Sequence, residues 1–264
     1  MTSTAQGRRD EIYHLAITTG LTSVEDLAAR FAVTASTIRR DLARLDEQGK
    51  VARTYGGAMA VSAHPEASLR QRTGVAFDAK HAIARWCASQ VRPGEALLLD
   101  GGSTVGALAH ELRSFTQLHV TTTGINTLQE LAESVGIEID CLGGRLRSIS
   151  NSFVGPLTEA ALERTTFDRV FLGADAVTAA DGICEADQEQ TRLKELMARR
   201  GDHVYVLADA TKLGKRPFHA WAQLPKPWTL VTDDSASDSQ VELFRAAGVT
   251  VEVVPALGVE SIPA

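Results

Sequence analysis

Residues 33–45, Val-Thr-Ala-Ser-Thr-Ile-Arg-Arg-Asp-Leu-Ala-Arg-Leu, carry one apolar stripe and an opposing face of hydroxyls and guanidinium groups. At about 100° per residue, Ile38, Leu42 and Leu45 fall on one side of a helix. Ser36, Arg40 and Ala43 point the other way, flanked by Thr37, Arg39 and Arg44. The stripe seats the helix on a core and leaves the other face free for a partner, and a helix of this kind fits a DNA groove. A basic amphipathic helix by itself is more often a solvated surface helix, so the flanking sequence decides.

Upstream, Arg8 to Thr18 places Ile12, Leu15 and Ala16 on one face before Gly20 breaks the chain. Thr22-Ser-Val-Glu25 reads as a capping box that opens a second helix, with Val24, Leu27, Ala28 and Phe31 as its apolar side. Only Ala32 to Thr34 separate it from the third helix, whose N-terminus Thr34 can cap. Two helices joined by so short a turn make a helix-turn-helix. After Gly49, a C-cap, Lys50-Val-Ala-Arg53-Thr-Tyr55-Gly-Gly57 alternates like a hairpin strand carrying basic residues, which suits a wing against a phosphate backbone.

The chain has 264 residues, 44% of them hydrophobic, enough for two parts and a sizeable core. Its net charge of -6 excludes a uniformly basic nucleic-acid binder, but residues 1–60 hold eight basic against seven acidic side chains. That segment is therefore +1 and the remainder -7, so a local patch must attract DNA. Cys87, Cys141 and Cys184 lie far apart without paired spacing and read as buried thiols of a reducing cytoplasm, not as a disulfide framework or a metal site. The seven histidines show no ligand or triad spacing. No leader-type or membrane-spanning apolar run occurs, which predicts a cytoplasmic protein with no membrane partner.

From Ala58 to Phe77 the periodicity is weak, as in a linker. Beyond it, apolar runs at 96–100, 118–122, 137–141, 169–173, 204–209, 229–232 and 249–254 alternate with helical patterns near 78–91, 104–113, 125–134, 156–163, 188–200 and 238–247. Wholly apolar strands separated by helices predict a parallel sheet covered on both faces, with ligands beyond the strands' carboxyl ends. The first such end, Asp100-Gly101-Gly102-Ser103-Thr104, runs directly into a helix and has the build of an anion cradle. A glycine turn after a strand is equally ordinary α/β punctuation. The spacing fits neither a Walker loop nor a dinucleotide fingerprint, so no nucleotide cofactor is expected. Other strand ends add Thr122 within Thr121-Thr-Thr123-Gly, Gly143-Gly144-Arg145, Asp175, and Asp209-Ala-Thr-Lys212, with Glu185 and Lys194 near the preceding helix. Together these could form one polar cleft, although any one of them could be a loop residue or a surface ion pair.

Thr37-Ile-Arg-Arg-Asp-Leu42 and Arg53-Thr-Tyr-Gly-Gly-Ala58 resemble the signature and wing of the DeoR family of bacterial transcriptional regulators. The resemblance extends through Lys80-His-Ala-Ile-Ala84, Asp100-Gly-Gly-Ser-Thr104, Gly143-Gly144, Phe171-Leu-Gly-Ala-Asp175, Lys194 and Leu207-Ala-Asp-Ala-Thr-Lys212. It implies a winged helix-turn-helix at 1–58, a linker at 59–76, and an α/β effector-sensing domain at 77–264 similar in fold to ribose-5-phosphate isomerase and the CoA transferases. It also implies DNA contacts by Ser36, Thr37, Arg39 and Arg40, with Arg44, Lys50 and Arg53 on phosphates. The implied ligand is a phosphorylated sugar or related metabolite, its phosphate on Gly101 to Thr104 and its oxygens met by Asp100, Lys194 and Lys212. Thr122, Gly143, Gly144, Arg145 and Asp209 complete the expected effector set. Val105 and Thr123 depart from the residues common in the family, and this leaves the donor count and the effector's identity open.

Asp41, a carboxylate among the arginines, either orients one of them or packs the helix. The chemical rival is an isomerase, because Asp100, Glu185, Lys194 and Asp209 are the types needed for proton transfer at a sugar carbonyl. An adaptor using the small domain to bind protein is a third class. An attached DNA reader confers nothing on an isomerase but gives a metabolite pocket something to control. The expected protein is accordingly a regulator, not an enzyme: most simply a repressor of a carbohydrate operon, with operator DNA, a small phosphorylated effector and further copies of itself as partners.

Overall fold

The computed structural model describes residues 5–19, 22–47, 51–54, 57–60 and 66–255. The chain divides into two compact units, Met1–Glu66 and Ala67–Ala264.

In the first unit, α1 (Ala5–Thr19) is followed by β1 (Thr22–Ser23), α2 (Val24–Phe31), α3 (Ala35–Glu47), β2 (Val51–Thr54) and β3 (Gly57–Ala60). The turn between α2 and α3 reverses direction at Ala32, which takes a left-handed φ of 50°. Thr34 then caps α3: its Oγ1 accepts the Thr37 N–H at 3.3 Å. Ile38, Leu42 and Leu45 are buried with Ile12, Val24 and Leu27 in one small core, which is why the two helices hold a fixed crossing. Each such side chain stabilises the fold by about 1.5–3 kcal/mol when fully buried. β3 pairs antiparallel with both β1 and β2. The basic hairpin strand therefore belongs to a three-stranded wing, one strand of which comes from the segment before α2.

The second unit opens with α4 (Leu69–Thr73) and α5 (Phe77–Gln90), then β4 (Ala96–Leu99), α6 (Ser103–Leu112), β5 (Leu118–Thr122), α7 (Ile125–Leu131) and β6 (Ile137–Cys141). A hairpin of β7 (Arg145–Arg147) and β8 (Ser152–Val154) leads to α8 (Pro156–Leu162), β9 (Phe167–Gly173), β10 (Ala176–Thr178), β11 (Gly182–Glu185) and α9 (Gln188–Arg199). The chain continues through β12 (Gly201–Leu207), a 3-10 turn (Ala210–Lys212), β13 (Ala220–Ala222), β14 (Thr229–Asp233), α10 (Asp238–Ala246) and β15 (Thr250–Val254).

Seven strands form one parallel sheet in the order β15-β14-β12-β9-β4-β5-β6. Strand alternation splits its side chains between two cores. Leu97, Leu99, Phe171 and Leu207 pack with α5 and α6, whereas Leu98, Val170, Leu172 and Val206 pack with Leu193 and Met197 of α9. From β4 the chain builds outward through β5 to β6, then returns to β9 on the other side of β4. The topological switch point thus lies between β4 and β9, where α/β sheets open a crevice at their carboxyl edge.

Coverage of both faces holds for the central strands and fails at β6. There Glu138, Asp140 and Cys141 are exposed, because β6 is an edge strand with an alternating Ile-Glu-Ile-Asp sequence. Cys87 and Cys184 are buried, but Cys141 is not a buried thiol for the same reason. A small antiparallel sheet, β10-β11-β13, lies against α9. The stretch 59–76 carries the end of β3 and the helix α4, whose start is fixed by a capping box between Ser68 and Gln71 and by the buried Leu69. No helix among the described residues is long and apolar enough to cross a membrane.

Candidate functional site

On α3, Ser36, Arg39, Arg40 and Arg44 are exposed and Thr37 is half-buried. The hydroxyls of Ser36 and Thr37 share hydrogen bonds with Thr34 Oγ1, at 2.9 and 3.0 Å, which orders the first turn. Asp41 is buried and accepts from Arg8 Nε at 2.7 Å and from Arg9 Nη1 at 3.4 Å. The carboxylate is thereby turned away from the exposed arginines and spent on clamping α1 to α3. No ion pair engages Arg39, Arg40 or Arg44 among the described residues, so α3 offers three uncompensated cations on one face. Lys50 lies outside the described residues. Arg53 sits on β2 opposite Ala58, and its side chain is likewise outside them.

In the second unit, the loop after β4 enters α6 at the switch point. Gly102 adopts a φ of 129°, which strains any other residue, and a Cβ at Gly101 would lie 1.9 Å from Ser152 Oγ. These glycines let the backbone pass close beneath the β8 hairpin. The α6 N-terminus has no side-chain cap, and its leading N–H groups and partial positive charge face the crevice. Asp100 is an organiser. Its Oδ1 accepts the Gly101 N–H at 2.8 Å, and its Oδ2 accepts the Gly173 N–H at 3.1 Å and lies 3.0 Å from Lys194 Nζ.

Lys194, projecting from α9, also donates to Gly173 O at 2.8 Å and to Glu185 Oε1 in a short contact. Burial opposes the Lys194 ammonium, but Asp100 and Glu185 together outweigh it and raise its pKa. Burial pushes the Glu185 carboxyl up to about 8 against the pull of Lys194. The Lys194 ammonium is therefore held between Asp100 and Glu185 in this core. Lys212 donates to Ala174 O at 2.7 Å and is 3.9 Å from Asp209 Oδ2, with burial lowering its pKa. Lys80 donates to the carbonyls of Arg72 and Val75, and burial lowers its pKa to about 8.

Gly101, Gly102, Ser103, Thr104, Lys194 and Lys212 line a single small cleft, together with Gly173, Ala174 and Glu185. Asp100 and Asp209 hold two of its cations from behind. Two lining residues carry no signal in the sequence, Arg72 of α4 and Gln190 of α9. Arg72 donates from Nη1 to Asp175 Oδ1 at 2.7 Å, while its buried Nε and Nη2 have no hydrogen-bond partner among the described residues. Gln190 Oε1 is similarly buried and unpartnered. Buried donors without acceptors cost about 1–3 kcal/mol each, and such groups mark sites awaiting a ligand.

The other expected effector residues do not line this cleft. Thr122 donates to Leu99 O at 2.8 Å and accepts the Gly124 N–H at 3.0 Å, which fastens neighbouring strand ends. Gly143 O accepts from Thr158, and a Cβ at Gly144 would meet Thr158 Oγ1 at 2.3 Å, so both glycines serve the packing of α8. Arg145 pairs with Glu189. The residues after β6 lie two strands out from β4, about 10 Å at ordinary strand spacing.

Residues 8–64 match the DeoR-like helix-turn-helix domain, and residues 76–234 match the DeoR C terminal sensor domain. The chain is 33% identical over 230 residues to the HTH-type transcriptional regulator GlpR of Haloferax volcanii, covering 87% of this chain and 90% of that one. It is 31% identical over 242 residues to the lactose phosphotransferase system repressor of Streptococcus mutans, covering 90% and 96%. Among solved structures, ribose 5-phosphate isomerase A of Neisseria gonorrhoeae superposes with a TM-score of 0.37 and 17% identity, over 50% of this chain and 52% of that one.

Proposed function

The chain belongs to the DeoR family of helix-turn-helix transcriptional regulators, and from that membership we propose that it represses a carbohydrate catabolic operon until a phosphorylated sugar or related metabolite fills the cleft of its second unit. Residues 1–58 are assigned to operator binding and 77–264 to sensing, with 59–76 as the connection between them. Ser36, Thr37, Arg39 and Arg40 read bases or adjoining phosphates, and Arg44, Lys50 and Arg53 hold the backbone. One small reader makes too few contacts for a specific site, so two or more copies act together on repeated half-sites.

The observation that carries the sensing half is the pair of buried Arg72 donors at the cleft that have no acceptor among the described residues. Arg72 Nε and Nη2, the uncapped α6 N-terminus and Lys212 line the same cleft. An ionised phosphate, all acceptor, complements such a set. DeoR regulators are not enzymes, and Asp100, Glu185 and Lys194, the acid–base types a sugar isomerase needs, are engaged with one another here.

The test is capture of genomic fragments on the full chain, followed by binding of the enriched promoter in the presence of sugar phosphates. The expected outcome is enrichment of DNA beside carbohydrate genes and a loss of operator affinity of tenfold or more with one phosphorylated sugar. Release by unphosphorylated sugars, with sugar phosphates inert, removes the phosphate assignment.

A further inference from the structure

We propose that Gln190 makes the cleft selective for a phosphorylated polyol over phosphate alone, by accepting a hydrogen bond from a hydroxyl on the ligand's carbon chain. The inference rests on the reading of the cleft as a phosphate-effector site, and adds to it which part of the ligand is recognised and by what.

Gln190 is only 4% exposed, yet it lines the cleft with its Oε1 unpartnered among the described residues. Its position is not loose. It stands in the first turn of α9, where its N–H donates to the capping Asp187 Oδ1 at 2.9 Å, and the next residue, Thr191, donates from its hydroxyl to Asp187 O at 2.7 Å. The turn is therefore pinned on both sides of the residue, and the amide is delivered to the cleft by the helix that also delivers Lys194. A buried amide oxygen left without a donor is unfavourable, and nothing in the packing requires an amide there.

With the amide oxygen facing the cleft, a phosphate does not resolve this. Ionised phosphate presents oxygens only and pairs with Arg72, the α6 N-terminus and Lys212, which are donors; set against Gln190 Oε1 it adds a second acceptor. In this orientation an O–H or N–H on the remainder of the ligand supplies the missing partner. The primary amide also suits a hydroxyl, because a hydroxyl both donates and accepts. Sites built to hydrogen-bond a substrate hydroxyl reject analogues lacking it strongly, since the site's own group is then stranded.

The experiment measures affinity of the full chain for inorganic phosphate, n-propyl phosphate, glycerol 3-phosphate, ribose 5-phosphate and glucose 6-phosphate, by calorimetry. The wild type should bind at least one polyol phosphate ten times or more tightly than n-propyl phosphate. Gln190→Met, close in size and without the acceptor, should bring that ratio to within twofold of unity while inorganic phosphate binding stays within twofold of wild type. Gln190→Glu, which keeps the acceptor oxygen, should retain the preference, and it answers the question should the methionine variant not fold. Survival of the hydroxyl preference in Gln190→Met, its loss in Gln190→Glu, or an equal loss for inorganic phosphate and polyol phosphates overturns the assignment of Gln190 alone. Failure of the wild type to bind any of the five, inorganic phosphate included, overturns the phosphate-effector reading itself.

Discussion

Lys194 stands between two buried carboxyl groups, and one of them, Glu185, gives the folded chain a pH dependence. Glu185 titrates at about 8 in the folded chain, against about 4.3 when unfolded. The folded state therefore holds a proton that the unfolded state releases between those values, ν_U − ν_N is negative, and stability falls as pH rises across that window. Below about 4.3 both states are protonated and the contribution is fully present; above about 8 it is lost. Glu185→Gln should flatten this part of the dependence and raise the urea midpoint at pH 8 relative to wild type, while leaving the value at pH 5 nearly unchanged. An unaltered slope in the variant assigns the dependence elsewhere. Of this triad, Asp100 was legible because strand ends in parallel sheets converge, whereas Glu185, at the end of β11 in the antiparallel sheet, and Lys194, within α9, were marked only by their place around the helix before β12. Arg72 was not, since it lies in a stretch whose weak periodicity reads as connection. Gln190 was not, since a glutamine in a helical first turn reads as solvated until the packing of β10-β11-β13 against α9 is known.

At the scale of elements, the recognition helix depends on two separable features. One is its seating, fixed by Ile38, Leu42, Leu45 and the Asp41 clamp to Arg8 and Arg9; the other is its exposed arginines. Asp41→Ala leaves two guanidinium groups that are only 12% exposed without a carboxylate, and it should lower the stability of the first unit by about 3 kcal/mol, measured by thermal denaturation of the full chain. Arg40→Ala should leave the melting curve in place and cost about 1–3 kcal/mol of discrimination between operator and random DNA. Arg53→Ala should weaken both DNAs alike and reduce the salt slope by about one. Equal losses on both DNAs for Arg40→Ala make it a backbone contact.

The parallel strands and their helices were readable because the central strands are short apolar runs bounded by turn residues, and the two edge strands, β6 and β15, alternate instead. The pieces that escaped are those stabilised by their surroundings. β10, β7 and β8 have three residues apiece, too few for a period to register. The exposed outer face of β6 matches its alternating Ile-Glu-Ile-Asp sequence, and its edge position is the part that only the topology reveals.

For the whole molecule, the proposed control of operator binding is a coupling free energy, and it must act in both directions. If an effector weakens operator affinity tenfold, about 1.4 kcal/mol, then saturating operator weakens effector affinity by the same factor. The prediction is tested by titrating the active sugar phosphate into the full chain alone and into the chain saturated with operator. The dissociation constant should rise by the factor measured for operator release. Salt is the competing explanation, because a multivalent anion at millimolar concentration releases DNA from any cationic surface. Inorganic phosphate at matched ionic strength serves as the reference. Were operator release reproduced by that control, or the effector constant indifferent to operator, the cleft would be a binding site without leverage on α3. With reciprocity observed, the differential affinity resides in the protein's two arrangements. Arg72 is then the natural place to look for its origin, because α4 lies within the 59–76 connection and carries an arginine whose Nη1 is held by Asp175 and whose Nε and Nη2 have no partner among the described residues.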